Sequence, residues 1–342
     1  DDEFATENVD LGGKSVSKVS TGWAHTCVLF TDGKVRCWGA SGSGRLGLGA
    51  LNNIGDDKKP TEDISLGTTV TDISAGYAHT CAVLTSGDVR CWGQGTNGRL
   101  GIGTTDNIGD DESPSQNVNL GGATVTQVAA GGSFSCALLS TGDVRCWGNN
   151  SVGMLGLGNT DTIGDDESPT TNIDFSGATV TQISVADSHA CALLSTGAIR
   201  CWGANTSGQL GLGNTERIGD NESRTANVNL GGATATQVSV GSELSCALLS
   251  SGDVRCWGNA NNGKLGLGST ERIGDDEDPT VNVDLGGENV TAIHAASSHV
   301  CALLSSKMVR CWGWGQLGRN GLGNTENIGD DENPTLNVGE SN

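Results

Sequence analysis

Apolar and polar residues alternate along this chain in short runs that never settle into a helical period. Val125–Gly131 (VTQVAAG) alternates residue by residue, the period of a strand with one face turned inward. Ser135–Ser140 (SCALLS) is a short apolar run, and Asp143–Gly148 (DVRCWG) alternates again. Thr141 and Gly142 separate these two runs, and a few residues containing Gly between apolar runs mark a hairpin. Asn117–Gly122 (NVNLGG) also alternates and ends in a Gly pair, which predicts one further strand. No segment sustains a period of about 3.6, so helices are expected to be absent or trivial.

The pattern returns at a fixed step. The string CWG stands at Cys37, Cys91, Cys146, Cys201, Cys256 and Cys311, 54 residues apart once and 55 thereafter. Six such copies fill the chain and predict a single domain over residues 1–342, with no room for a linker. A four-stranded unit cannot bury both of its faces alone, whereas stacking such sheets around an axis covers them. The expected fold is therefore all-β, a β-propeller of six four-stranded antiparallel blades. The ends complicate the count. Asp1–Val9 (DDEFATENV) and Asp330–Val338 (DDENPTLNV) are copies of one segment, so the first-strand segment occurs seven times and the hairpin six. In a six-blade ring two ends then compete for one place. A frayed end, a seventh, partial blade, or a strand given to a neighbouring molecule each resolves that competition. After each CWG runs a long stretch with little strand pattern, Gly203–Asn227 in one copy. Its LGLG recurs in register, which points to fixed structure rather than disorder.

Composition sharpens this picture. The chain holds 54 Gly, an excess that suits many tight turns. Net charge is −21, from 40 acidic and 19 basic residues. A field of that sign repels phosphate backbones and anionic membrane surfaces. It favours divalent cations, basic partners or plain solubility. No run of 18 apolar residues exists, so no membrane-spanning helix is expected. The first residues, DDEFATENVD, lack a secretion-signal pattern, so either a signal has been removed or the chain never carried one.

The cysteines choose between those options. The twelve form six pairs with nine residues between partners: Cys27 and Cys37, Cys81 and Cys91, Cys136 and Cys146, Cys191 and Cys201, Cys246 and Cys256, Cys301 and Cys311. Each pair straddles the predicted hairpin turn. A loop of three or five residues would set the partners directly opposite, within disulfide reach, and a two-residue loop would not. Zinc prefers close Cys pairs brought together in fours, which this spacing does not offer. Six disulfides are expected, each stabilising by roughly 2.5–3 kcal/mol on the chain-entropy view. They imply an oxidising compartment, hence a secreted or cell-surface protein whose signal has been removed. Asn149, Asn205, Asn221 and Asn289 head glycosylation sequons.

Ala75–Gly93 (AGYAHTCAVLTSGDVRCWG) followed by Gly98–Gly103 (GRLGIG) resembles the regulator-of-chromosome-condensation repeat. That pattern has an Ala-Gly, a His, an apolar hairpin, Trp-Gly and then Gly-x-Leu-Gly. The resemblance covers essentially the whole chain and implies a propeller of four-stranded blades. Three departures set this sequence apart: six units where seven is usual, two Cys per unit, and an acidic segment in each. The last two are similar to secreted relatives rather than to the nuclear exchange factor.

Few positions in the unit offer chemistry. The family His position reads His25, His79, Phe134, His189, Leu244 and His299. Two apolar occupants argue for a structural, hydrogen-bonded His. Arg36, Arg90, Arg145, Arg200, Arg255 and Arg310 precede the second Cys of every pair, and are expected to stack on Trp or to pair with a carboxylate. The aromatic before the His is present only as Trp23 and Tyr77, which disfavours the light sensing that clustered Trp supports elsewhere in the family. No Ser-His-Asp order, phosphate loop or His-Glu metal motif stands out. The acidic segment recurs as Asp56-Asp57, Asp110-Asp111-Glu112, Asp165-Asp166-Glu167, Asp220-Asn221-Glu222, Asp275-Asp276-Glu277 and Asp330-Asp331-Glu332. Hard oxygen ligands beside Gly suit Ca²⁺. Turn hydrogen bonds and solvation are the competing reading.

The leading expectation is an extracellular binding or structural propeller without catalysis, with a protein or a second copy of itself as partner, and head-to-tail polymers as one form of that assembly. An inhibitor or receptor module gripping one protein through its loops is the first alternative. A guanine-nucleotide exchange factor is the second, and six disulfides would exclude it from the reducing compartments where exchange factors work.

Overall fold

The computed structural model of the chain describes residues 8–222, 226–322 and 324–338. Six three-stranded antiparallel sheets follow one another. The first holds β1 (Val16–Thr21), β2 (His25–Phe30) and β3 (Val35–Gly39), and the second β4 (Val70–Ala75), β5 (His79–Leu84) and β6 (Val89–Gly93). The third holds β7 (Val125–Ala130), β8 (Phe134–Leu139) and β9 (Val144–Gly148), and the fourth β10 (Val180–Val185), β11 (His189–Leu194) and β12 (Ile199–Gly203). The fifth holds β13 (Ala235–Gly241), β14 (Leu244–Leu249) and β15 (Val254–Gly258), and the sixth β16 (Val290–Ala295), β17 (His299–Leu304) and β18 (Val309–Gly313). Helix is confined to single 3₁₀ turns such as Gly42–Gly44 and Thr96–Gly98, and no described helix is long and apolar enough to cross a membrane.

The hairpin loops set the cysteine register. Phe30 N donates to Lys34 O and Gly33 N to Phe30 O, which closes a three-residue loop, Thr31–Gly33. Gly33 sits at φ 78°, the left-handed position that such a loop demands and that Gly adopts without steric cost. The register then places Cys27 directly opposite Cys37 and Thr26 opposite Trp38. The other hairpins share it, Cys136 opposite Cys146 and Cys301 opposite Cys311 among them. The sixth loop has no Gly there, and Lys307 takes φ 72° instead.

The expected fourth strand is not built. In Asn117–Gly122 a single main-chain bond reaches the sheet, Val118 N to Val89 O at 2.8 Å. Ile64, Ile173, Val228, Val283 and Val338 make the same bond to Val35, Val144, Ile199, Val254 and Val309. The segment stops because Asn119 Oδ1 turns the chain by accepting from Gly121 N, and Gly121 and Gly122 both have positive φ. Arginine takes over from the ladder. Arg145 Nη1 donates to Leu120 O ahead of it, and Arg145 Nε to Asn172 Oδ1 behind it. Arg90 bonds Leu66 O and Asn117, Arg255 bonds Leu230 O and Asn282, and Arg310 bonds Leu285 O and Asn337. Arg36 bonds Leu11 O and the Asp63 carboxylate. Pairing with a carboxylate is seen at Arg36, which lies over the Phe30 ring. Arg36, Arg90, Arg145, Arg255 and Arg310 each span two consecutive segments, and Arg200 bonds Asn227. Leu11 near one end and Asn337 near the other both hold such places. The part of the first copy in residues 1–7 lies outside the described residues.

The described residues divide into two compact units, 9–187 with 219–222, and 188–218 with 8, 226–322 and 324–338. Within each unit the core lies in seams between successive sheets. Cys81, Val83, Val89 and Cys91 of the second sheet pack on Val125, Val128, Ala137, Leu139 and Trp147 of the third. Leu244, Cys246, Leu248, Val254 and Cys256 of the fifth pack on Val290, Ile293, Val300, Ala302, Leu304 and Trp312 of the sixth. The disulfide face of one sheet is therefore the seat for the Trp face of the next.

Candidate functional site

All six predicted disulfides are present, Cys27–Cys37, Cys81–Cys91, Cys136–Cys146, Cys191–Cys201, Cys246–Cys256 and Cys301–Cys311, and no cysteine is free. Nearly every one is buried in a seam core.

A polar relay crosses the same seams. His79 Nε2 lies 2.8 Å from Ser135 Oγ of the following sheet. Ser135 donates to Arg99 O at 3.0 Å, and Trp147 Nε1 donates to that same carbonyl at 3.0 Å. His25 with Thr80, Arg45 O and Trp92, and His189 with Ser245, Gln209 O and Trp257, repeat the arrangement. Because the hydroxyl proton goes to the carbonyl, His Nε2 must donate, and in a buried ring whose other nitrogen has no acceptor the stable form is the neutral one with Nδ1 bare. Nδ1 of His25, His79 and His189 is indeed buried without a partner. Burial holds the His25 imidazole down at about 4 and that of His189 at about 3, and pushes His79 well below its ordinary value.

These Ser–His contacts have the length of a nucleophile–base pair, but not its wiring. A general base accepts the hydroxyl proton and is oriented through its other nitrogen. Here Ser135 is fully buried and its proton is committed to a carbonyl. The relay is a seam fastener. The sequence carries its signature one repeat away: His25, His79 and His189 are answered by Thr80, Ser135 and Ser245, while Leu244 is answered by Val300.

The acidic turns form a second fastener. Gly49 N, Gly103 N, Gly158 N, Gly213 N and Gly268 N donate to the carbonyls of Gly109, Gly164, Gly219, Gly274 and Gly329 one repeat on. A Cβ on Gly109 would stand 2.6 Å from Gly44 O and 2.9 Å from Gly47 Cα, so only paired glycines permit this approach. The third acid of the turn caps it: Glu112, Glu167, Glu222 and Glu332 each accept from the Gly N–H three residues earlier. In four turns, Asp110-Asp111-Glu112, Asp165-Asp166-Glu167, Asp275-Asp276-Glu277 and Asp330-Asp331-Glu332, the carboxylate oxygens converge within 4.8 Å. Burial, then the neighbouring Asp276 and Asp331, push Glu277 and Glu332 up to about 7. Asp56-Asp57 and Asp220-Glu222 form no such cluster among the described residues.

The sequons fall in unlike settings. Asn205 is removed from the candidates: it is fully buried, and its Nδ2 donates to Asn214 O and Glu216 O, so no glycan has room in the folded chain. Asn221 and Asn289 are exposed and Asn149 is half-buried.

Two surface features complete the inventory. Trp23 stacks on Tyr77 with ring centroids 5.1 Å apart, and both are exposed. A cavity of about 400 Å³ opens on the first repeat, lined by Cys37, Leu48, Ile54, Lys58, Pro60 and Thr61 among others.

Comparison with known proteins places this architecture. The RCC1-like domain family profile matches residues 12–338. The ultraviolet-B receptor UVR8 of Arabidopsis thaliana is 30% identical over 326 residues, which span 94% of this chain and 70% of that protein. Among solved structures, yeast RCC1 (Prp20) bound to Kap60 superposes with a TM-score of 0.77 at 20% identity, covering 94% of this chain and 75% of that one. The ectodomain of the Physcomitrella patens receptor kinase CR4 superposes with a TM-score of 0.52 at 20% identity, covering 88% and 62%.

Proposed function

Because the chain belongs to the RCC1-like domain family, whose fold is an all-β propeller, we propose that it is an extracellular, non-catalytic binding module for a protein partner. The observation that carries this reading is one disulfide in every hairpin with no cysteine left free. Disulfides in such number persist in oxidising compartments and are rare in the cytosol and nucleus, which tells against a role as an exchange factor. The Physcomitrella relative in fold is itself an ectodomain, and the yeast relative is seen bound to a protein. A net charge of −21 makes nucleic acid a poor partner. The stacked Trp23 and Tyr77 offer the large, rigid aromatic surface that protein interfaces favour.

The test is alkylation of the unreduced, denatured protein followed by intact mass measurement. The expected result is no added mass before reduction and twelve labelled cysteines after it. Labelling of several cysteines before reduction overturns both the disulfides and the extracellular placement.

A further inference from the structure

The first repeat departs from its neighbours in one stretch, and a cavity lies there. Residues 50–59 read ALNNIGDDKK, against TTDNIGDDES in the second repeat and NTDTIGDDES in the third. The changes release groups that other repeats keep occupied. Thr104, Asn159, Asn214 and Asn324 turn the chain by accepting from the N–H two residues on. Ala50 has no such acceptor, and Asn52 N finds none among the described residues. Glu112, Glu167, Glu222 and Glu332 spend a carboxylate oxygen on the Gly N–H three residues earlier. In the first repeat Gly55 N donates to the main-chain oxygen of Lys58 instead, which frees the Lys58 side chain. Gln116 of the second repeat donates to Ile102 O. Glu62, in its place, has no proton to donate and leaves Leu48 O without a partner among the described residues.

These groups meet around the cavity of about 400 Å³, a size that suits a ligand. Its apolar wall is Cys37, Leu48, Ala50, Ile54 and Pro60, and Asn52, Lys58, Lys59 and Glu62 supply polar groups. All of this lining lies within one compact unit, residues 9–187 with 219–222. Charge says what would enter. Where Asn52 stands, the other repeats carry Asp106, Asp161, Glu216, Glu271 and Glu326, and where Lys58 stands they carry Glu112, Glu167, Glu222, Glu277 and Glu332. A wall that would repel an anion elsewhere admits one here. Five of the seven lysines, Lys14, Lys18, Lys34, Lys58 and Lys59, lie in the first repeat, so a chain of net charge −21 repels an acid least at this point. Lys59 is held by Asp10 in a pair open to water, which is worth little. Lys58 makes no ion pair among the described residues.

We propose that this cavity takes the C-terminus of a partner's peptide chain, with an apolar last side chain against the Cys37–Pro60 wall and the terminal carboxylate on Lys58 and Lys59. The proposal rests on the reading of the protein as a binding module and names the part of the partner that it grips. A peptide answers every free group at once. Its N–H groups suit Glu62 and Leu48 O, its carbonyls suit Asn52 N–H, and its acid suits the lysines. A plain fatty acid would cover the apolar wall and meet the lysines, but would leave Glu62 and Leu48 O unanswered.

The experiment is calorimetric titration of the intact, oxidised protein with acetylated tripeptides ending in Leu, Val or Phe with a free C-terminal acid, with the same peptides amidated, and with hexanoate. The expected result is saturable binding of an acid peptide at one site, with the affinity about tenfold lower for its amide and for hexanoate. Lys58→Glu restores the residue type that the other repeats carry and should fold as they do, yet lower the affinity about tenfold. Lys58→Arg should keep it. Circular dichroism and unreduced mass show that each protein is folded with all disulfides formed, which separates failure of the site from failure of the binding-module reading. With the six disulfides intact, no binding of any acid peptide to the wild-type protein overturns the site and leaves that reading standing. Amides that bind as tightly as the acids, hexanoate that binds as tightly as the peptides, or binding that survives Lys58→Glu overturns it too.

Discussion

The histidines show how far a residue's role can be from its usual chemistry. A buried imidazole that donates from Nε2 and leaves Nδ1 bare is stable only while neutral. The folded-state values are depressed, to about 4 for His25 and about 3 for His189, from an unfolded value of 6.5. Their contribution to stability is therefore present in full above pH 6.5, and is lost as pH falls through the folded value. The loss is at most about 1.4 kcal/mol per pH unit for each ring. Glu277 and Glu332 act in the opposite sense. Raised from 4.5 to about 7, they favour the fold below pH 4.5 and lose that benefit as pH rises through 7. The double variant His25→Leu with Thr80→Val copies the Leu244–Val300 pair already present in the chain. It is expected to flatten the rise in urea-unfolding free energy between pH 4 and 6.5. An unchanged slope would mean that His25 is not neutral in the folded protein.

At the scale of elements, the hairpins were readable and the fourth strand was not, for a physical reason. Nine residues between cysteines and a Gly between two apolar runs mark the hairpin and leave direct opposition to a loop of three or five residues; the three-residue loop, with Cys27 opposite Cys37, is what forms. The alternation of Asn117–Gly122 says that one side of the segment is buried, and Val118 and Leu120 are buried. It does not say which groups receive the main-chain hydrogen bonds. Leu120 O accepts from Arg145 and Val118 N donates to Val89 O, partners distant in sequence, while Gly121 N is spent within the Asn119 turn. The seam relay escaped notice because it links different repeats; comparing His25 with Thr80, rather than with its own neighbours, would have found it. The sixth hairpin supplies a test of the turn rule. Lys307 holds φ 72° where five hairpins have Gly, and a side chain there costs about 1–2 kcal/mol. Lys307→Gly should raise stability by about 1 kcal/mol, since part of the gain returns as unfolded-state freedom. Denaturant melting checks this, and a destabilised variant would show that Lys307 holds a compensating contact.

For the molecule as a whole, stability is spread over fasteners that each tie a repeat to its neighbour: disulfide-faced cores, His relays, glycine latches and arginine spans. The acidic turns belong to this set through their capping glutamates. With the Glu112, Glu167, Glu222 and Glu332 carboxylates engaged on Gly N–H groups, a metal is not needed to explain their recurrence. The expected result is that adding a chelator to protein first loaded with Ca²⁺ leaves the thermal midpoint unchanged. A lower midpoint would assign the ion to the four converging turns by linkage.

The arginine spans carry a consequence for how such a chain can change length. They resemble a fence in which each rail needs two posts, with Leu11 and Asn337 on the outermost ones. A fence can be lengthened or shortened by one panel anywhere, and it always finishes on a post. Duplicating or losing one whole period would leave each spanning guanidinium with a carbonyl ahead and an amide or carboxylate behind. Copy number is therefore free to drift as far as this fastener is concerned. The His relay is stricter: a panel whose Leu or Phe came to face a serine would leave that hydroxyl bonded to its carbonyl but without a donor of its own, so panels are interchangeable only in matched order.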